Sequence, residues 1–219
     1  MTISTTTVKD ENFAFYKHIN LKDFKHFAHL TGFDTGIDIE LLYPHIKDIK
    51  HLAELGAGYG RAIHFLKQKG FQGTITAVDR VARFLNSLKE KYGDTIQTHR
   101  QDIRDLALAQ PVDGIMWLWS GISELSPKEQ EISVANIYQN LTKGGLFILE
   151  SPYKQIKIVG THQSPQHITL TTDWGRLDAY LPSEEEVQTY AKKAGFSSFE
   201  TLHYQSETGL DRVFYLLKK

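Results

Sequence analysis

The sequence predicts an α/β fold in which helices cover both faces of a doubly wound, mostly parallel β-sheet. From Lys50 onward, short β-rich segments alternate with segments of helical periodicity, which is typical of consecutive βαβ units. Three of the β-rich segments are nearly continuous apolar runs, as expected of parallel strands that are buried on both faces.

Five strands are predicted in the first 150 residues. They cover residues 52–55, 74–78, 95–99, 114–119 and 146–149. The fourth strand is predicted to be regular through Trp119, and of Trp117 and Trp119 one is expected to belong to the core and the other to face a ligand.

Helices are predicted between the strands. One follows the second strand, ends before Gly93 and carries apolar side chains at the spacing of a single helical face: Val81, Phe84, Leu85 and Leu88. Two later helices begin with a serine that is followed three residues on by a glutamate, which is the capping-box pattern: Ser126 with Glu129, and Ser183 with Glu186.

Two regions fall outside this alternation. Residues 10–48 are predicted to be helical and aromatic-rich, and they suggest an N-terminal helical cover over residues 1–48. Residues 49–219 form the main domain, in which the segment 151–181 contains a predicted β-hairpin insertion. Both additions are expected to cover the carboxyl edge of the sheet, where ligands bind in such folds.

The composition fits a single domain with additions. The chain has 219 residues, with 25 Lys and Arg against 26 Asp and Glu and a formal net charge of −1. Near-neutral charge does not favour a broad nucleic-acid-binding surface, although it is compatible with a local basic patch. No apolar run approaches the ~18 residues of a membrane span, so we expect no membrane partner.

Cysteine is absent from the sequence. This excludes disulfides, thiolate metal sites, cysteine nucleophiles and iron–sulfur clusters. The first residues are polar and lack the apolar core of a signal peptide. We therefore expect a cytoplasmic protein.

A glycine-rich loop carries the strongest chemical signal. The end of the first strand and the loop that leads into the next helix contain Glu54, Gly56, Gly58 and Gly60. The glycines allow a ligand to approach the backbone closely, and the N–H groups at the start of the helix point towards it. Asp79 follows at the end of the second strand, nineteen residues after Gly60, where a carboxylate can accept both hydroxyls of a ribose. The pattern predicts a nucleoside-type ligand, and its glycine spacing differs from that of dinucleotide folds.

In this order the motifs resemble those of class I S-adenosylmethionine-dependent methyltransferases, over about residues 50 to 217. The resemblance rests on the glycine loop, Asp79 and the segments 101–103, 117–120, 141–146 and 181–196. It implies a Rossmann-like, seven-stranded sheet with an antiparallel last strand at residues 213–217. It also implies S-adenosylmethionine as cofactor and S-adenosylhomocysteine as product.

The resemblance further implies which residues bind the cofactor. The glycine loop would pass beneath the methionine part, Asp79 would bind the ribose, and residues 102 and 103 would receive the adenine. Residue 118 would stand beside the reactive sulfonium, and an N-terminal aromatic residue would fold over the cofactor. The residues so implied are Glu54, Gly56, Ala57, Gly58, Gly60, Asp79, Arg80, Asp102, Ile103, Leu118 and Tyr16.

Several of these residues have a purely structural alternative. Glu54 can form an ion pair at the strand end, and Tyr16 can pack between helices. Asp79 and Asp102 both stand where a helix N-cap belongs. Arg61 is expected to be a solvated residue of the first helical turn, although it can also reach an anionic group.

Candidates for a catalytic base are weaker. His162 and His167 lie in the predicted insertion, and Glu124 follows the fourth strand. The ten histidines do not show a ligand-like spacing with carboxylates, so we expect no catalytic metal. A base is needed only when the methyl acceptor must lose a proton.

The leading hypothesis is a methyltransferase that moves the methyl group by in-line displacement to an oxygen or nitrogen of a small molecule. The segment after the fourth strand, residues 119–122, lacks the Asn/Asp-Pro-Pro-Tyr/Phe signature with which many methyltransferases hold a planar nitrogen. This disfavours nucleic-acid bases and glutamine side chains as acceptors. The alternatives are a protein or RNA methyltransferase, a non-catalytic module that binds S-adenosylmethionine and, least favoured, a nicotinamide oxidoreductase. The oligomeric state is left open.

Overall fold

A computed structural model of the protein describes residues 8–153, 161–162 and 164–219. The helices are α1 (Val8–His18), α2 (Leu21–Leu30), α3 (Ile37–Ile46), α4 (Arg61–Gln68), α5 (Ala82–Tyr92), α6 (Pro127–Gln139) and α7 (Glu184–Ala194). The strands are β1 (His51–Leu55), β2 (Thr74–Asp79), β3 (Gln97–Arg100), β4 (Val112–Trp117), β5 (Leu141–Pro152), β6 (Thr161–His162), β7 (His167–Thr172), β8 (Gly175–Tyr180), β9 (Ser198–Gln205) and β10 (Asp211–Lys218).

The main sheet has seven strands in the order β3-β2-β1-β4-β5-β10-β9. Strands β1 to β5 pair in parallel, whereas β10 is antiparallel to both β5 and β9. Leu55 at the end of β1 stands opposite Val78 of β2 and Trp117 of β4, so the loops after these strands leave from one edge. The predicted fold, with its antiparallel last strand, is confirmed.

Helices cover both faces of this sheet because the strands are apolar on both sides. Along β1, Ala53 and Leu55 belong to one buried cluster and Leu52 belongs to another. The first cluster packs against α6 and α7, through residues such as Val134 and Val187. The second packs against α3, α4 and α5 on the opposite face.

The two capping boxes are present. Ser126 and Glu129 cap α6, and Ser183 and Glu186 cap α7 in the same reciprocal way. Gly195, in the left-handed conformation, ends α7.

Strand β4 differs from the prediction at its end. It stops at Trp117, and Trp119 and Ser120 adopt left-handed conformations with φ of 52° and 61°. The backbone turns there because the Ser120 N–H donates to the buried Glu150 carboxylate at 3.0 Å. The assumption of a regular strand through Trp119 is therefore wrong.

Strands β3 and β5 also have different bounds from those predicted. Residues 93–95 form a short 3₁₀ turn, so β3 begins only at Gln97. Strand β5 extends over twelve residues because it lies between two partners, and its pairing with β10 continues to Pro152.

The remaining elements lie at the carboxyl edge. Strands β6, β7 and β8 form a small antiparallel sheet in which residues 173 and 174 connect β7 to β8. Asn12 of α1 is buried and bonds to Asp178 of β8 in both directions, donating to its carbonyl and accepting from its N–H, each at 2.8 Å. Helix α1 and the hairpin are thus joined to each other.

Among the described residues, no helix has the length and apolar character needed to cross a bilayer.

Candidate active site

A cavity of about 220 Å³ lies at the carboxyl edge of the main sheet. The loops after β1, β2, β3 and β4 form its floor, while α1, α2 and the β7–β8 hairpin form the other walls. Most of the predicted cofactor residues line it: Glu54, Gly56, Ala57, Gly58, Asp79, Arg80, Asp102, Ile103, Leu118 and Tyr16.

Gly60 is not one of the lining residues. It precedes α4 with φ of 78°, and a Cβ at this position would stand 2.2 Å from the Leu88 side chain of α5. The glycine is therefore required for the close packing of α4 against α5, and its contact with the cofactor stays a prediction.

The glycine loop is held by Asp79. One carboxylate oxygen accepts the Gly58 N–H at 2.8 Å and the other accepts the Val81 N–H at 2.7 Å. Burial raises the pKa of Asp79, and these backbone N–H groups oppose the rise. Gly56 has φ of 66°, and a Cβ on it would meet no atom of the described residues within 4 Å, so the backbone there is open to a ligand.

Glu54 is a buried carboxyl group without a full set of partners. Its side chain is at the end of β1, the residue is 6% exposed, and Oε2 has no hydrogen-bond partner among the described residues. Burial raises the pKa of Glu54 to about 8, against the opposing charge of Arg61. A cationic ligand group at this point would restore the charge of the carboxylate.

Arg61 corrects the sequence prediction of a solvated side chain. It is buried and forms a two-pronged ion pair with Asp38 of α3, with N–O distances of 2.8 and 2.6 Å. Its guanidinium also faces the rings of Phe33 and Trp119 at 5.2 and 5.7 Å. The prediction was wrong because α3 brings a carboxylate from 23 residues earlier in the chain.

Asp102 caps the short turn Ile103–Asp105 and pairs with Arg104, whose Nε donates to it at 2.7 Å. Burial acts to raise the pKa of Asp102, but the hydrogen bonds and charge of Arg104 outweigh it and the net pKa is lowered. The capping alternative is therefore realised, while Asp102 and Ile103 still line the cavity.

Tyr16 and Glu124 meet on the cavity wall. The Tyr16 hydroxyl hydrogen-bonds to the Glu124 carboxylate, and Nη2 of Arg80 lies 3.6 Å from that carboxylate. Burial raises the pKa of Glu124 to about 7, and Arg80 and the Tyr16 hydrogen bond oppose the rise. Burial and the charge of Glu124 raise the pKa of Tyr16 well above its ordinary value.

The two histidine candidates are not brought to this point. His167 stands opposite Tyr180 in the hairpin and does not line the cavity. His162 pairs with Ile168 through its backbone, and its side chain lies outside the described residues. In the described part of the chain, no three His, Asp or Glu side chains are grouped so as to hold a metal ion.

Sequence reasoning missed a second buried ion pair at the cavity. Arg212 of β10 donates to both carboxylate oxygens of Glu150 of β5, at 2.5 and 2.8 Å, and to the Ser120 hydroxyl at 2.6 Å. The sequence does show Glu150 directly after one apolar run and Arg212 directly before another. These two residues form an ion pair only because β5 pairs with β10, and the sequence does not specify that pairing.

Aromatic side chains of α2 were also missed as site residues. Phe24 stacks on Trp119 with ring centroids 5.4 Å apart, and it lies over the glycine loop near Gly58. Phe24, Phe27 and Trp119 all line the cavity. Trp117 also lines the cavity, but it belongs to the core cluster of the main sheet.

Comparison with known proteins agrees with this architecture. Residues 52–145 match the sequence model of a family described as a methyltransferase domain. No curated protein sequence matches the chain.

Solved structures share the fold at low sequence identity. A 1,6-didemethyltoxoflavin-N1-methyltransferase from Burkholderia thailandensis, with bound 1,6-didemethyltoxoflavin and S-adenosylhomocysteine, is 16% identical, with a TM-score of 0.67 over 100% of this chain and 93% of the other. An S-adenosylmethionine-dependent methyltransferase from Clostridium acetobutylicum is 17% identical, with a TM-score of 0.66 over 90% and 98% of the two chains. An amino pentose methyltransferase of calicheamicin biosynthesis from Micromonospora echinaspora, bound to S-adenosylmethionine, is 14% identical, with a TM-score of 0.63 over 90% and 97%.

The sheet order and the glycine loop with its acidic partner define the Rossmann-like fold that the solved S-adenosylmethionine-dependent methyltransferases share. Within this fold, residues 52–145 match the methyltransferase-domain family.

Proposed function

We propose that the protein transfers the methyl group of S-adenosylmethionine to an oxygen or nitrogen atom of a small molecule. The observation that carries this proposal is the cavity at the carboxyl edge. It joins the Asp79-held glycine loop to a wall made by α1 and the hairpin.

The residues of the cavity fit S-adenosylmethionine. Glu54, buried with one oxygen unpartnered among the described residues, would receive the α-ammonium group. The open backbone at Gly56, with Ala57 and Gly58, would hold the methionine part. Asp79 would bind the ribose hydroxyls, Asp102 and Ile103 the adenine, and Leu118 would contact the cofactor near its sulfur. We assign Arg80 and Tyr16 to the same pocket, where both line the wall.

When bound, S-adenosylmethionine supplies a methyl group that is already activated by a sulfonium. The protein must therefore position the acceptor in line and exclude water. The apolar wall side chains do this: Phe24, Trp119, Ile168, Leu170, Leu177 and Leu181.

The position of α1, α2 and the β7–β8 hairpin around the cavity supports a small acceptor over a macromolecular one. Residues 1–48 act in this proposal as a helical cover and residues 151–181 as an insertion on the 49–219 domain. Two of the structural relatives are a 1,6-didemethyltoxoflavin methyltransferase and an amino pentose methyltransferase, and both of these named substrates are small molecules.

Calorimetric titration with S-adenosylhomocysteine tests cofactor binding, with NAD as the comparison ligand. We expect binding of S-adenosylhomocysteine and none of NAD at equal concentration. Failure to bind at millimolar S-adenosylhomocysteine would overturn the proposal.

Labelled methyl transfer into a fractionated cell extract tests the acceptor class. We expect label in the small-molecule fraction. Label in RNA or protein would instead favour a macromolecular acceptor, and binding without any transfer would favour a non-catalytic module.

A further inference from the structure

Glu124 is a charged group on the cavity wall that cofactor binding leaves unexplained. Glu54 is assigned to the cofactor, and two further charged groups there are paired within the protein: Arg61 with Asp38, and Arg212 with Glu150. Asp79 receives two backbone N–H groups. Among the described residues, the polar contacts of the Glu124 carboxylate are the Tyr16 hydroxyl and, at 3.6 Å, Nη2 of Arg80.

Helix α1 holds both the backbone and the side chain of Glu124. The Asn12 amide donates to the Glu124 carbonyl oxygen at 3.0 Å, and Tyr16, one helical turn later, hydrogen-bonds to the carboxylate. The same Asn12 amide donates to Asp178 of the hairpin at 2.8 Å. Two residues on one face of α1 therefore fix Glu124 against the cavity.

The charged and titratable groups around Glu124 come from α1, from the end of β2 and from the loops after β2 and β3. Arg80 after β2 and Arg104 after β3 stabilise its ionised form, as does the hydroxyl of Tyr16 from α1, whereas Asp79 at the end of β2 disfavours it. Asp102 shares Arg80, whose Nη1 lies 3.9 Å away from it. The Glu124 side chain is 25% accessible and lines the cavity, so a bound molecule can reach it.

The wall opposite the sheet is apolar. Ile168 pairs with Ala179, and Leu170 pairs with Leu177, so these four side chains lie on one face of the β7–β8 hairpin. All four line the cavity, and β8 packs directly against the Gly121–Glu124 turn. The body of an acceptor that lies there must be apolar, with its polar group directed to Glu124.

We propose that the methyl acceptor is an apolar amine, and that Glu124 binds its ammonium group and accepts its proton. This inference rests on the proposed methyltransferase function and specifies the substrate class and the catalytic base. Asn12 and Tyr16 act as positioning residues, because they orient Glu124.

The proton has to leave before the nitrogen can react, because an ammonium group has no lone pair. The nitrogen gives one proton to Glu124, and its lone pair then forms the N–C bond to the methyl carbon. The C–S bond breaks with its electron pair remaining on sulfur, so the sulfonium becomes a neutral thioether. Glu124 afterwards releases the proton to water.

A carboxylate suits an amine better than an alcohol for two reasons. It attracts the ammonium form electrostatically in a site of low dielectric constant. A carboxyl group whose pKa is raised to about 7 is also closer to the pKa of an ammonium than to that of an aliphatic alcohol. An alcohol would gain nothing from the first effect and little from the second.

The deciding experiment compares two probes of nearly equal shape, 2-phenylethylamine and 2-phenylethanol, on the complex with S-adenosylhomocysteine. We expect the amine to bind about tenfold or more tightly than the alcohol, since a hydrogen bond to a charged group exceeds a neutral one by that order. Glu124→Gln keeps the side-chain shape and should abolish the preference. Glu185→Gln, an exposed glutamate on α7, is the matched control and should retain it.

Equal affinities of the two probes in the wild type, or no measurable binding of the amine, would overturn the proposal. So would an unchanged preference in Glu124→Gln. Binding of S-adenosylhomocysteine itself should be the same in the wild type and in both variants. Its loss from the wild type would instead count against the proposed function, so the two failures are distinguishable.

Methyl transfer to a panel of apolar primary amines and matching phenols tests the base directly. We expect transfer to amines, with kcat/KM rising through about pH 7 in the wild type and lacking this rise in Glu124→Gln. Tyr16→Phe removes a hydrogen bond that lowers the pKa of Glu124, so the rise should move to higher pH. A panel in which only phenols are methylated, or an unmoved profile in Glu124→Gln, would refute the assignment.

Discussion

At the scale of single residues, Asp79 links the glycine loop to the predicted ribose site. We expect Asp79→Ala to weaken the binding of S-adenosylhomocysteine by roughly 1–3 kcal/mol, because buried ribose hydroxyls would lose their acceptor. Titration calorimetry measures this loss, and thermal unfolding checks that the variant folds without its bonds to Gly58 and Val81.

A matched control is Asp113→Ala. Asp113 also accepts a backbone N–H, that of His51 at 3.2 Å. Asp113 lies near the start of β4, however, whereas Asp79 lies at the end of β2 beside the cavity. This variant should bind S-adenosylhomocysteine as the wild type does. Unchanged affinity in a folded Asp79→Ala protein would remove Asp79 from the ribose site.

Glu54 makes a prediction about pH at the same scale. Its pKa in the free protein is raised to about 8, chiefly by burial, so the carboxyl is mostly protonated at pH 6. The α-ammonium of S-adenosylhomocysteine favours the ionised form, and binding must then expel a proton. Affinity should therefore rise with pH up to about 8, by as much as about tenfold per pH unit, and become level above it.

Calorimetry at several pH values, in buffers of different ionisation enthalpy, measures both the affinity and the proton release. Glu54→Gln is expected to lose the slope because it has no proton to release. A slope of equal size in this variant would assign the pH dependence to another group.

At the scale of secondary-structure elements, the buried Arg61–Asp38 pair joins α4 to α3. Removing one partner leaves an uncompensated buried charge, so Arg61→Met should lower the free energy of unfolding by about 3–5 kcal/mol. Urea unfolding measures the change. The double variant Asp38→Leu/Arg61→Met should lose less than the sum of the single variants, because neither charge remains.

The exposed pair Lys193–Glu131, with an N–O distance of 2.8 Å, provides the comparison. Lys193→Met should change the free energy of unfolding by no more than about 1 kcal/mol, as is usual for surface pairs. An equally small change in Arg61→Met would show that water reaches the Arg61 site.

Elements that depend on local sequence signals were predicted, whereas features that depend on contacts across the fold were not. Periodicity and capping boxes predicted α5, α6 and α7, because these signals depend only on neighbouring residues. The pairing of Arg61 with Asp38 and the left-handed turn at Trp119 were not predicted. Both depend on contacts across the fold, namely α3 against α4 and Ser120 against Glu150.

The same distinction applies to the site. The half proposed to bind the cofactor follows from motifs at the ends of consecutive strands, since parallel strands bring their carboxyl ends to one edge. The half proposed to bind the acceptor is built from α1, α2, the hairpin and β10, whose spatial relations no local pattern specifies. This is why Asp79 was predicted from the sequence, whereas Asn12, Phe24 and Arg212 were not.

At the scale of the whole molecule, residues from Tyr16 to Arg212 meet around one cavity. A ligand that contacts all the walls should stabilise the elements that supply them, including α1 and the hairpin, because opening either would expose the ligand to water. This follows from the proposed roles of residues 1–48 as a cover and 151–181 as an insertion.

Hydrogen–deuterium exchange with and without S-adenosylhomocysteine measures this effect along the chain. We expect slower exchange in α1, β7 and β8 as well as in the glycine loop, while α7 and β9, which do not line the cavity, serve as internal controls. Protection confined to the glycine loop and to the loops after β2 and β3 would mean that the cofactor binds without engaging the additions. Water exclusion would then depend on the acceptor, because α1 and the hairpin would be held closed only when an apolar molecule fills the space between the hairpin and Glu124.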